Sequence, residues 1–268
     1  MRRRAARSTR RYYSRGSRSG GLSMSMPGLV LVHGGGFSAD CWDPTIDAIR
    51  QAAPELGVLA VNLPGRAGRP APPPGSVIDG WVDAVCIDID TAGLDRVVVV
   101  GHSMAGLTVP RVVSRLGGSR VPETILAGAF VPPAGCTLAD TLTGPFRFIA
   151  RRYARTGRSR DVPVALARFG FTNGMTAAQR SFTLERMCTE PPSVLIEKAV
   201  NPGAPDGTIS TWILTRRDRA LSVRAQQRGI AALGGVDAVI PIDTGHMLMI
   251  SAPDRLAQIL LDSCRRYT

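Results

Sequence analysis

Val97-Val98-Val99-Val100-Gly101-His102-Ser103-Met104-Ala105-Gly106-Leu107-Thr108-Val109 decides how this chain is read. Four consecutive valines predict a strand buried on both faces, and the Gly-x-Ser-x-Ala-Gly string after them predicts a sharp turn into a helix. Ser103 then sits on the turn itself. A serine hydroxyl is a poor nucleophile in water and becomes a useful one when a strained turn holds it beside a base and backbone N–H donors. The serine therefore predicts companions elsewhere in the sequence.

The search for a base is short, because the chain has three histidines: His33, His102 and His246. His102 belongs to the turn, and its ring is expected to point away from the serine. His33 opens His33-Gly34-Gly35-Gly36-Phe37 after the apolar run Leu29 to Val32, a place suited to presenting backbone N–H groups. That leaves His246, in Asp243-Thr244-Gly245-His246-Met247 just after the last predicted strand. An acid must orient the base and stabilise its imidazolium. Asp218 follows a predicted strand at the same sheet edge and gives the order Ser103, Asp218, His246. Asp243 is nearer to the base, but three residues of tight turn face a side chain away from the ring; Asp140 is a third option. Two N–H donors are needed for the oxyanion of a tetrahedral intermediate. Met104, at the start of the helix, and Gly35, whose N–H no side chain obstructs, are the candidates.

Outward from this string, short apolar runs alternate with helical patterns, which predicts an α/β fold with a mainly parallel sheet of about six strands flanked by helices. Strands are expected near 28–33, 57–62, 96–101, 123–130, 208–214 and 236–242. Helices are expected over 42–52, 78–92, 104–116, 223–233 and 253–266. Right-handed crossovers place the strand C-terminal ends, and the motif loops with them, along one edge. Residues 132–207 break the rhythm with Pro132-Pro133, an arginine-dense stretch from Arg147 to Arg160 and Pro191-Pro192, with helical patterns around Leu166 and over 177–187. They read as an inserted helical cap, with 27–131 and 208–268 as the core. Phe37, Leu107, Phe146, Phe148, Phe169 and Met247 are the candidates for apolar substrate lining, the alternative for most of them being a place in the core.

The 268 residues are 44% apolar, enough for one domain with a full core. The formal net charge of +12 would suggest a nucleic-acid or anionic-membrane partner, but residues 1–26 hold eight arginines and no acid, and without them the charge is +4. The basic signal belongs to a tail, read as a disordered Arg/Ser-rich extension. Two other readings of it are a gene-model artefact, with Met24 or Met26 as the true start, and an organelle transit peptide. Five widely spaced cysteines without a Cys-x-x-Cys pair read as free thiols, and no apolar stretch approaches the ~18 residues of a membrane span. The expectation is a soluble cytoplasmic protein with a small-molecule substrate, no nucleic-acid or membrane partner and no metal or organic cofactor, the homodimer being left open.

Leu31-Val32-His33-Gly34-Gly35, Asn62-Leu63-Pro64-Gly65, Gly101-His102-Ser103-Met104-Ala105-Gly106 and Gly245-His246-Met247-Leu248-Met249-Ile250-Ser251-Ala252-Pro253 together resemble the α/β-hydrolase superfamily over residues 28–267. The likeness is greatest to the branch of plant methyl-ester esterases and hydroxynitrile lyases. It implies Ser103 as nucleophile, Asp218 as acid, His246 as base, and Gly35 and Met104 as oxyanion donors. Ala105 stands where the superfamily usually has glycine, and Asn62 where aspartate is common; neither change removes a reacting group. A serine at the turn argues against the members that attack with a carboxylate. The similar hydroxynitrile lyases carry a lysine after the catalytic histidine and a threonine after the first one, where this chain has Met247 and Gly34. Hydrolysis of a carboxylic ester or lactone is thus the expected reaction. A lyase or carbon–carbon hydrolase with the same triad, a receptor with little turnover, and a nucleic-acid role for the tail are the alternatives.

Overall fold

The computed structural model describes residues 26–72, 75–156 and 162–268. The arginine-rich stretch 1–25 lies outside the described residues. Six strands, β1 (Gly28–Val32), β2 (Val58–Val61), β3 (Val97–His102), β4 (Glu123–Ala127), β5 (Ile209–Thr215) and β6 (Ala238–Ile242), form one sheet in the order β2-β1-β3-β4-β5-β6. All five pairings are parallel.

The central strands are buried along their whole length, and their side chains alternate between two cores. Val30, Val32, Val97 and Val99 enter one, with Trp81 and Trp212; Leu29, Leu31, Val98 and Val100 enter the other, with Trp42 and Ile46. That alternation is the two-residue period of a pleated strand, and it explains the four valines: each face needs two. Burying each valine contributes about 1.5–3 kcal/mol against leaving it in water.

Helices α1 (Asp43–Ala52), α2 (Val77–Thr91) and α3 (Val109–Leu116) follow the first three strands. The helices α2 and α3 cover the first core with Val82, Val85, Ile89, Val112 and Val113, while α1 covers the second with Ile46 and Ile49. One helix was expected over 104–116, but the segment is a 3₁₀ turn, Ser103–Leu107, followed by α3. Pro110 accounts for the break: it has no N–H to return to residue 106 and fits only the first turn of a helix.

Among the described residues between β4 and β5 stand four helices, α4 (Leu138–Thr141), α5 (Gly144–Thr156), α6 (Val164–Phe171) and α7 (Ala177–Glu185), the helical insertion that the irregular middle of the sequence predicts. In α5, read only as an arginine-dense stretch from sequence, the arginines 147, 151, 152 and 155 are exposed and Ala150 is buried. The chain closes with α8 (Val223–Ala232), α9 (Leu248–Ser251) and α10 (Pro253–Arg265). Arg266, just past α10, donates to both oxygens of the buried Glu123 at the start of β4, at 2.9 and 2.7 Å, which ties the last helix to the sheet. The edge strand β6 is half exposed, and Pro241 blunts it by withholding an N–H.

Candidate active site

The turn after β3 holds Ser103 at φ +54°, a left-handed conformation rare for a residue with a Cβ. What sustains it is close packing around the turn. A Cβ on Gly106 would lie 2.3 Å from the Phe130 carbonyl oxygen, and one on Gly101 would lie 2.8 Å from Val109. Ala105, which is 1% exposed, fits the superfamily's glycine position without displacing the turn.

Strand β5 ends at Thr215, and Asp218 follows three residues later, turned inward while Arg216, Arg217 and Arg219 face solvent. Its carboxylate accepts four hydrogen bonds. Oδ1 takes the N–H groups of Ala220 and Leu221 at 2.8 and 2.7 Å; Oδ2 takes the Thr215 hydroxyl at 2.9 Å and His246 Nδ1–H at 2.7 Å. Four hydrogen bonds hold the carboxylate at a fixed angle to the ring. His246, in the loop between β6 and α9, has its Nδ1 proton committed there. Its Nε2 is left as the acceptor 2.9 Å from Ser103 Oγ. The three side chains form one chain of hydrogen bonds, Ser103–His246–Asp218, with His246 in the middle.

Three aromatic rings fix the imidazole: Phe171 stacks on it at 5.5 Å, Phe130 meets it edge-on at 6.1 Å, and His102 lies at 4.8 Å. The His102 Nε2–H donates to the His246 carbonyl at 2.9 Å. Burial, and then the neighbouring His246, hold its pKa well below the ordinary histidine value. His33 is neutral for a similar reason: burial, with Arg66 nearby, lowers it to about 3. It donates Nδ1–H to the Gly34 carbonyl at 2.8 Å and accepts the Leu63 N–H at 3.2 Å, so its ring braces the loop. The other acids considered serve elsewhere. Asp243 is exposed and paired with Arg217 at 2.7 Å, and Asp140 caps α4 through Thr137. Asn62 accepts the Ala39 N–H at 2.8 Å, a turn contact.

Ser103, Met104 and Gly35 open together into a cavity with empty space of about 810 Å³, part of it open to solvent. Its walls are mostly apolar and come largely from the insertion: Leu138, Leu142, Phe146, Ile149, Tyr153 and Leu166. Phe146 is the one of the six expected lining residues found there. Phe37, Leu107 and Met247 pack in the cores beneath, at 2%, 2% and 1% exposure, and Phe148 and Phe169 are exposed at 72% and 51%. The correction is geometric. Phe146 and Phe148 are two positions apart on α5, about 200° around the helix, so they cannot share a face. Composition alone missed Phe130, Phe171 and Glu190 in the wall. Glu190 lies just before Pro191-Pro192, the one sequence signal of a fixed backbone there.

A model described as "Alpha/beta hydrolase family" matches residues 29–259, nearly the whole described core and insertion. The chain belongs to the alpha/beta hydrolase family. This hydrolase is 25% identical over 259 residues to the probable esterase PIR7A of Oryza sativa subsp. indica, covering 89% of this chain and 97% of that one. It is 27% identical over 238 residues to the biotin biosynthesis bifunctional protein BioHC of Cellvibrio japonicus, covering 84% of this chain but spanning only 41% of the length of that relative. Among solved structures it is similar to an extracellular alpha/beta-hydrolase from a Paenibacillus species, with a TM-score of 0.75 at 20% identity, covering 88% of this chain and 98% of that one. It is also similar to the methylesterase MES16 from Arabidopsis, with a TM-score of 0.70 at 15% identity, covering 90% and 99%. At those identities the structural likeness bears on the fold of this hydrolase.

Proposed function

We propose that this chain is a carboxylic ester hydrolase that cleaves small, largely apolar esters or lactones through an acyl-enzyme. The observation that carries the reading is the unbroken Ser103–His246–Asp218 relay with Ser103 on the wall of an apolar cavity. The rice relatives named as esterases support it.

His246 Nε2 takes the Ser103 proton as Oγ attacks the ester carbonyl, and Asp218 stabilises the imidazolium that results. The carbonyl oxygen becomes an oxyanion, held by the N–H groups of Gly35 and Met104, both of which border the cavity beside Ser103. His246 returns the proton to the leaving alkoxide, and the C–O bond breaks. Water, deprotonated by the same histidine, then releases the acid and restores the serine. No step of this sequence calls for a metal or organic cofactor. Residues 132–207 act as the cap that shapes the acyl or alcohol subsite over the 27–131 and 208–268 core. Five free cysteines, three of them buried, support a reducing, cytoplasmic setting.

The test is a panel of esters and lactones, from acetyl to long-chain acyl groups, with wild type and Ser103→Ala. Hydrolysis by wild type and none by Ser103→Ala is the expected result; equal activity of the two would sink the proposal. Product analysis separates ester cleavage from a lyase or carbon–carbon hydrolase reaction on the same triad.

A further inference from the structure

Three glycines in a row, Gly34, Gly35 and Gly36, could each offer an N–H near the nucleophile, and the structure distinguishes them. Gly34 lies against the serine, where a Cβ would fall 2.7 Å from Ser103 Cβ. Gly36, at φ +70°, is held on both sides by the segment after α7: its carbonyl accepts the Cys188 N–H at 2.8 Å, and its N–H donates to Glu190 Oε2 at 2.8 Å. Gly35 keeps its place on the cavity wall beside Ser103 and Met104.

The Glu190 carboxylate is itself unusual. It is a largely buried acid, its side chain 14% exposed, on the wall of an apolar cavity, and its Oε2 would lie 3.3 Å from a Cβ on Gly35. Its other oxygen is paired with Arg66 of the loop after β2, whose side chain is 1% exposed. Arg66 is fixed in turn by the Trp81 ring, 4.7 Å below its guanidinium, and by the Pro64 carbonyl at 3.4 Å. Burial pushes the Glu190 carboxyl above the usual carboxylate range, while Arg66 and the Gly36 N–H pull it back. A bare carboxylate this close to the Gly35 peptide would oppose any negative charge developing there, strongly so in a site of low dielectric.

We propose that Glu190 and Arg66 are positioning residues of the reaction. Glu190 claims the Gly36 N–H, fixing the loop so that the Gly35 N–H is the one presented to the oxyanion. Arg66 cancels the charge that Glu190 would otherwise set beside it. The ion pair ties the segment after α7 to the loop after β2 across 124 residues of sequence, and the Gly36–Glu190 bond ties the same segment to the catalytic loop. The proposal rests on the hydrolase reading above and assigns roles that reading does not contain.

The test is the second-order rate of inactivation of the full chain by an alkyl fluorophosphonate, whose phosphoryl oxygen occupies the oxyanion position, with a melting temperature recorded for each variant. Glu190→Ala should react about 10²-fold more slowly, the order expected for a misplaced catalytic loop. Glu190→Gln, which keeps an acceptor for Gly36, should recover most of that loss. Arg66→Met should be slow, and adding Glu190→Gln to it should restore the rate by removing the uncompensated charge. Equal rates for Glu190→Ala and Glu190→Gln, or no recovery in the double variant, would overturn the proposal. If Arg66→Met does not fold, the comparison of Glu190→Ala with Glu190→Gln decides. A wild type that is not inactivated sinks the hydrolase reading itself; a reactive wild type with unaffected Glu190→Ala sinks this proposal alone.

Discussion

His102 donates its Nε2–H to the backbone carbonyl of His246 at 2.9 Å, so the residue just before the nucleophile holds the main chain of the base. The bond joins the end of β3 to the loop after β6, three strands away across the sheet. It sets the distance between Ser103 and His246 from the backbone side, while Asp218 sets the ring angle from the other.

His102→Leu removes that donor and leaves the His246 carbonyl with the Leu248 N–H alone, at 3.0 Å, a cost of about 0.5–1.5 kcal/mol in stability. The base loop should loosen with it. Thermal melting and steady-state kinetics should show a lowered Tm and a kcat reduced about 10²-fold, with KM little changed. His102→Gln, which retains an N–H donor, should recover part of both.

Asp218→Asn keeps the shape but replaces an acceptor of His246 Nδ1–H with a group that can present an amide donor instead. A fall in kcat of about 10⁴-fold is expected, with the fold intact by circular dichroism. Asp243→Asn breaks an exposed pair with Arg217 and should leave kcat unchanged and stability within about 1 kcal/mol. An opposite ranking of the two would reassign the acid.

Much of this architecture was legible in the sequence because each signal is local. Val97 to Val100 must be a doubly buried strand, and Gly101 to Gly106 must be a tight turn, whatever surrounds them. Asp218 was legible for a different reason: it stands three residues past β5, at the edge where Ser103 and His246 also lie. Glu190 and Arg66 were not legible, since their meeting depends on how the insertion folds back over the loop after β2, and neither belongs to a periodic pattern. The lining was misread at Phe37, Leu107, Phe148, Phe169 and Met247 because an apolar side chain announces burial without saying against what. The helix α5 was hidden by its arginines, which occupy the outward positions of an amphipathic helix.

The same helix supplies a paired test of the cavity. Phe146→Ala opens the wall and should change kcat/KM for esters with bulky apolar groups about 10-fold or more, since even one methylene in an apolar pocket is worth about 10–200-fold. Phe148→Ala changes only the exposed face and should leave the same ratio within about 2-fold, consistent with the small effect of surface substitutions. Equal effects of the two on an ester series would place the substrate elsewhere.

His33 and His102 make stability fall with acid. Both are held neutral in the folded protein, His33 down to about 3 and His102 well below the ordinary value, while in the unfolded chain they bind protons near 6.5. Above pH 6.5 neither state is protonated at these rings, and their full contribution is present. Below it the unfolded chain takes up protons that the folded one refuses, so stability is lost as pH falls from about 6.5, for His33 down to about 3, by up to about 1.4 kcal/mol per pH unit for each ring. Urea unfolding at pH 7.5, 6 and 5 should show the decline, and a flat profile would mean that these rings are charged in the native state.

The central claim, that Ser103 is a nucleophile activated by His246, is tested most directly by the intact mass of the protein after treatment with a fluorophosphonate, followed by peptide mapping. One adduct per chain on Ser103 in wild type, and none in Ser103→Ala or after heat denaturation, is the predicted result. An unlabelled wild type, or an adduct that persists in Ser103→Ala, would contradict it.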